Sequence, residues 1–306
     1  MSAQATPVPE TRASIARRDW LLLAAATVAF GFGFGVYTGT APSFAVSFLH
    51  LDRPHLGILE SLREVPGLLT AGIVGLLAGI VAPRLALLAL LVLGIGFAAT
   101  GQVRDFWPLV ACNVLWSVGL HVWLTVQPGL TLALSRDGHH GHGLGLMARY
   151  MAFAVISGLL FVRIAATLLG YGGTFLVAGV GAALGGLFLA RIHTGREAQV
   201  RQRLVFRPAY WRYYGLMLLD GGRRQVVQTF AVLILVLEFG VSLEAVAGLL
   251  LVNNLLTMAA APIVGRWTDR FGERRVLSVY YVLVAVVFLF YTRIPDAALA
   301  TGWKPE

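Results

Sequence analysis

The chain has 306 residues, of which 58% are hydrophobic and only 13% charged, and its mean hydropathy is +0.76. A soluble domain carries about 25% charged residues, so a water-facing coat is excluded and most of the outside must meet lipid. The net charge of +9 would suit nucleic acid, but its distribution along the chain (below) excludes that partner, and the single cysteine, Cys112, excludes a disulfide framework or thiolate metal cluster.

A helix needs about 20 mostly apolar residues to cross a bilayer. Nine runs reach that length, at 20–46, 55–82, 84–103, 107–134, 143–168, 172–192, 212–237, 243–265 and 275–294. None alternates polar and apolar residues as a lipid-facing barrel strand must. The expectation is an all-α polytopic membrane protein with nine transmembrane helices. Arg17-Arg18 ahead of "DWLLLAAATVAF" imitates a secretion signal, but the run is long and eight more follow, so it is read as the first membrane helix.

With the N-terminus placed on the cytoplasmic side, the inner segments collect fifteen arginines, among them Arg12, Arg17, Arg18, Arg136, Arg191 and Arg270. The outer side keeps only Arg53, Arg104, Arg293 and Lys304. That bias sets topology, and it accounts for the positive charge without nucleic acid. Rich in alanine and arginine and with a single lysine, the composition fits a GC-rich bacterial genome, and hence a bacterial inner membrane.

In the first span, "GFGFG" (Gly31 to Gly35) lacks the preceding strand of a dinucleotide loop and is expected to let helices approach closely. Tyr37 and Thr38 follow it as candidate cavity residues. In the second span, Glu60, Arg63 and Glu64 lie three and four apart, on one helix face, ahead of Pro66. Two carboxylates beside one arginine leave an acid free to carry a proton; a structural cluster near the span's end is the alternative. The fourth span is unusually polar, with Asn113, Trp116, His121, Trp123, Thr125 and Gln127. His121 is a candidate proton shuttle or a satisfied core histidine. The turn "SRDGHHGH" brings His139, His140 and His142, expected to be solvated, and Arg149 and Arg163 near the ends of span five are expected to snorkel.

The longest polar stretch between spans, 193–211, is rich in arginine and reads as a linker between two helical parts, 1–192 and 212–306. Beyond it, Asp220, Arg223 and Arg224 lie inside an apolar run, with Asp220, Arg224 and Gln228 on one stripe. Ionised groups at such depth are costly and are expected to face the bundle or a cavity. They are candidates for a substrate or proton site; an intrahelical ion pair between Asp220 and Arg224 is the alternative. Superposing Gly75 on Gly265 brings Arg84 onto Arg274, an internal repeat of the kind transporters use.

The stretch "GRWTDRFGERR", Gly265 to Arg275, resembles the loop signature of the major facilitator superfamily. The resemblance implies a fold with a six-helix N-terminal bundle and a second bundle, here partial. It also implies that spans one, four and seven line a cavity, making Asn113, Gln127 and Tyr37 ligand candidates. Gly265, Asp269, Arg270, Gly272, Arg274 and Arg275 would form a conformational switch, with Asp269 held against the end of a neighbouring helix and against arginines, and with Arg270, Arg274 and Arg275 as partners and topology anchors. In the first copy of the motif Gly79 stands where Asp269 does in the second, so that copy is degenerate. The family has twelve helices, so the expectation is a chain truncated after the ninth, with a smaller nine-span protein as the alternative.

The function expected is secondary active transport of a small solute across the cell membrane, by alternating access. Arg223 and Arg224 favour an anionic solute, and Glu60, Glu64 and Asp220 make protons the candidate coupling ion. The implied partners are the solute, protons and the bilayer. No cofactor, metal or enzymatic activity is expected, and no ATP-binding loop is present. A non-transporting fragment or membrane scaffold is the alternative.

Overall fold

The computed structural model describes the backbone of residues 12–77, 79–193, 207–226 and 243–301. Among these residues the regular structure is entirely helical. In hydrocarbon a backbone must satisfy its own polar groups, and a helix does so within one segment. The helices are α1 (Arg12–Ser43), continuing into a π-helical turn (Phe44–Phe48), α2 (Arg53–Leu76), α3 (Ala82–Thr100) and α4 (Phe106–Leu134). Then follow α5 (His140–Leu189), α6 (Trp211–Val226), α7 (Leu243–Phe271) and α8 (Glu273–Thr301).

The chain divides into two compact units, Met1–Leu204 with Thr257–Asp269, and Val205–Leu256 with Arg270–Glu306. In the first unit, α1 packs between the two parts of α5. Gly35 lies against Val155, and Gly33 lies against Ala178. Along a straight helix Val155 and Ala178 would stand about 35 Å apart, yet both touch the same turn of α1. The chain therefore reverses at Gly170, whose φ of 61° is left-handed and open to glycine. The gap expected between spans five and six is this reversal.

Glycines set the depth of packing. Gly94 of α3 and Gly179 of α5 each face the other's carbonyl oxygen, so a side chain on either would drive the helices apart. The core between them is apolar and aromatic: Leu23, Phe30, Leu90, Leu93, Phe97 and Phe175 are essentially inaccessible. On the outside the pattern inverts. Leu68, Leu76 and Leu168 are 84%, 87% and 86% exposed, an arrangement that suits hydrocarbon as solvent and not water. Among the described residues four helices, starting at Arg17, Ala82, Phe106 and His140, are long and apolar enough to cross a membrane. The chain is a membrane protein.

Two local departures from the sequence expectation have simple causes. Helix α2 ends at Leu76, short of residue 82, because Val81 turns extended (ψ 141°) ahead of the proline that opens α3. Its start is fixed by Asp52, whose side chain accepts the His55 N–H at 3.0 Å. In the second unit, α7 stops at Gly272 (φ 83°), and Glu273 opens α8 in the first turn, where the helix dipole favours an acid.

Candidate functional site

Within the first unit, residues that the sequence offers as separate constellations meet on one surface between α2 and α4. Arg63 lies between its two acids: Nη2 is 2.7 Å from Glu64 Oε1, and Nε is 3.0 Å from Glu60 Oε2. Its guanidinium also sits over the Trp116 ring, 5.5 Å from the centroid. Trp116 Nε1 donates to Tyr37 Oη at 2.9 Å, and that hydroxyl donates to Asn113 Oδ1 at 3.3 Å. The Tyr37 ring stacks on Phe97 at 4.1 Å, so the hydroxyl is aimed by apolar packing on its other side. One continuous path of contacts thus runs from α1, through α4, to the ion cluster of α2.

The same path extends to His121. Its Nε2 is 3.7 Å from Glu64 Oε2, an ion-pair distance. Its Nδ1 is 2.9 Å from the Ser117 carbonyl, which can only accept, so Nδ1 carries a hydrogen. The neutral ring then presents a bare Nε2 to Glu64. At 3.7 Å the carboxylate and the ring are within ion-pair reach of each other.

Space for the imidazole comes from Gly67. A Cβ there would lie 2.6 Å from His121 Nε2, so a side chain and the ring cannot share the place. Pro66, one residue earlier, lacks the N–H that would bond the turn before it. Ser117 braces that turn from α4, its hydroxyl donating to the Arg63 carbonyl at 2.5 Å. The side chains of Arg63, His121 and Glu64 are 19%, 21% and 34% exposed, so the cluster is sheltered yet reachable by a proton.

Trp116 and Ser117 are members of this network that sequence reasoning left off its list of site candidates. Asn113, Ser117 and His121 recur every fourth residue, a one-face signal that would have found the serine. Gln127 stands apart: its Nε2 donates to Thr131 Oγ1 at 3.1 Å, along α4 itself. Thr38, the other cavity candidate of the first span, is exposed and bonds the Phe34 carbonyl of its own helix.

The motif residues fall into both units. Asp269 caps α5: its Oδ1 accepts from Gly141 N at 2.6 Å and its Oδ2 from His142 N at 2.8 Å. A carboxylate there satisfies two orphan donors and meets the positive end of the helix dipole. Among the described residues no arginine lies within ion-pair distance of it. Gly265 and Gly141 face each other's carbonyls where the helices cross, which lets the carboxylate reach. Arg149 is tied to the same helix: it is exposed, and its Nε donates to the Met258 carbonyl at 2.8 Å. Arg270 covers the Phe271 ring at 5.3 Å, while Arg274 and Arg275 are exposed near the start of α8.

Asp220 lies half-buried on α6, in the second unit. Arg223 and Arg224 are on that helix, but their side chains, and Gln228 altogether, lie outside the described residues. Of the three loop histidines, His139 and His140 are exposed as expected, whereas the His142 ring has its Nδ1 buried. Among the described residues no group of three or more His, Cys, Asp or Glu side chains is placed to hold a metal ion.

Scanned against protein-family models and against curated proteins, the chain matches none. Among solved structures it is similar to the major facilitator superfamily proton:xylose symporter XylE, bound to 6-bromo-6-deoxy-D-glucose. The identity is 14%, the TM-score 0.48, and the match covers 88% of this chain and 70% of that one. That is the family whose loop signature Gly265 to Arg275 resembles, and a likeness at this level decides nothing about what the chain carries.

Proposed function

We propose that the protein is a secondary active transporter of the major facilitator type, moving a small solute by alternating access and coupled to protons through Glu64 and His121. The observation that carries this reading is the Glu64–His121 contact. A carboxylate shared between an arginine and an imidazole, inside a bundle of apolar helices, is placed to take up a proton and to change its partner on doing so. When Glu64 is protonated its hold on Arg63 weakens, and Arg63 is left to Glu60 and to the face of Trp116. That rearrangement reaches Tyr37 and Asn113, which are buried and bonded to each other, through Trp116.

Alternating access needs a contact that forms in one state and breaks in another. The cap that Asp269 places on α5 suits this role, because Asp269 is exposed and held by two hydrogen bonds. The arginine distribution supports a cytoplasmic N-terminus and, with it, a cytoplasmic position for this contact. The same reading takes 1–192 as the first bundle, 193–211 as a linker and 212–306 as part of the second. Arg223 and Arg224 favour an anionic solute.

The test is flux in sealed vesicles under an imposed pH gradient, with a panel of small organic anions and sugars. Gradient-driven flux that disappears in Glu64→Gln, while solute exchange without a gradient persists, is the expected result. Flux indifferent to the gradient would remove the proton from the mechanism.

A further inference from the structure

We propose that a second site, between the start of α1, the end of α4 and the start of α5, binds the phosphate headgroup of an anionic phospholipid. A cavity of about 520 Å³ opens there, within the size range of small-ligand sites. Arg17, Arg136, His139 and His142 line it together with Ser135, and Trp20 forms part of its apolar wall. Among the described residues no carboxylate lines it. The two guanidiniums supply the donors for phosphate oxygens, since the Ser135 hydroxyl already gives its hydrogen to the Thr131 carbonyl at 2.7 Å and His139 Nδ1 lies 3.1 Å from the Asp137 carbonyl.

The Nδ1 of His142 is itself buried and closed to the cavity, so the two guanidiniums carry the recognition. The backbone N–H groups at this helix end are already held by Asp269, so the side chains and not the helix terminus would bind the anion. The place in the fold favours a lipid over free phosphate. All the lining elements are ends of apolar helices, where tryptophan and arginine mark the membrane interface. Basic pockets between such helices suit anionic headgroups, and the Trp20 wall suits the start of an acyl chain.

The site also adjoins the α5 cap. His142 lines the cavity and gives its backbone N–H to Asp269 Oδ2. A headgroup seated there therefore holds the residue on which the Asp269 contact depends, and lipid composition would bias that contact.

The test uses the full chain in neutral detergent, titrated with short-chain phosphatidylglycerol, phosphatidylcholine or inorganic phosphate, with bound molecules counted by native mass spectrometry. Phosphatidylglycerol is expected to bind in preference to phosphatidylcholine. The double variant Arg17→Gln, Arg136→Gln should weaken it about thirtyfold, and the corresponding lysine pair should retain it. Leu146→Trp, which fills the cavity without changing charge, should exclude the lipid and keep the check independent of the arginines. In the wild type, hydrogen exchange at the His142 amide should slow when phosphatidylglycerol is present. Inorganic phosphate binding as tightly as the lipid would overturn the lipid assignment and leave free phosphate as the ligand. Equal retention of the two lipids, or binding unchanged in both Arg17→Gln/Arg136→Gln and Leu146→Trp, would overturn the site.

Discussion

Glu64 and Asp269 are both carboxylates on helices of the first unit, and they differ in what they face. Glu64 faces an arginine and an imidazole, side chains that can move and, in one case, change charge. Asp269 faces two backbone N–H groups, which cannot titrate and whose positions are fixed by α5. The first arrangement joins a carboxylate to side chains that can rearrange. The second makes a contact that is either made or broken as a whole. Position in the bundle, more than residue type, separates the two roles: Glu64 is half-buried between Arg63 of its own helix and His121 of α4, and Asp269 is exposed at a helix end.

The largest effect is expected at Glu64. Glu64→Gln keeps the shape and a hydrogen-bonding oxygen but removes the charge, so gradient-driven flux in vesicles should fall to the level of empty vesicles. Gly67 comes next. Gly67→Leu would force a side chain into the space of the His121 ring, and such overpacking destabilises by about 1–3 kcal/mol, to be read from thermal unfolding in detergent. An unchanged melting temperature would separate α2 from α4 at that point.

A smaller effect is expected at Asp269. Loss of a cap costs about 1 kcal/mol, so Asp269→Ala should speed hydrogen exchange at the Gly141 and His142 amides about fivefold. The exchange of amides near Trp116 should stay as it was. The smallest effect belongs to Asp52, which caps α2 from within its own segment. The hydrogen bonds from the His55 backbone and ring hold its carboxyl below the usual value of 3.8. A depressed value means that the cap contributes above the unfolded-state value and is lost as pH falls through the folded one. Asp52→Asn should therefore lower stability slightly at neutral pH and match the wild type in acid.

Much of the helical content was legible because each element declares itself locally. The spacing of Glu60, Arg63 and Glu64 placed them on one face, and the break near residue 170 was visible as a gap between apolar runs. The meeting of Glu64 with His121 was not legible. It depends on the register of α2 against α4, which Gly67 permits but does not announce, since a glycine in a membrane helix signals closeness without naming its partner. Trp116 was counted only as one polar group of an unusual helix, because its role as a hub exists only when Tyr37 and Arg63 arrive from two other helices. His142 was assigned to a solvated turn from its neighbours in sequence. Yet its Nδ1 is buried, and Gly265 of α7, far along the chain, lies against its backbone.

Infrared difference titration of the purified protein tests the central claim, a proton shared by Glu64 and His121, without knowledge of the solute. Recorded across pH in light and heavy water, the spectra should contain a protonated-carboxyl band that titrates. That band should be absent in Glu64→Gln and displaced in frequency or midpoint in His121→Gln. A band present and unmoved in both variants would place the titrating carboxyl elsewhere and contradict the account.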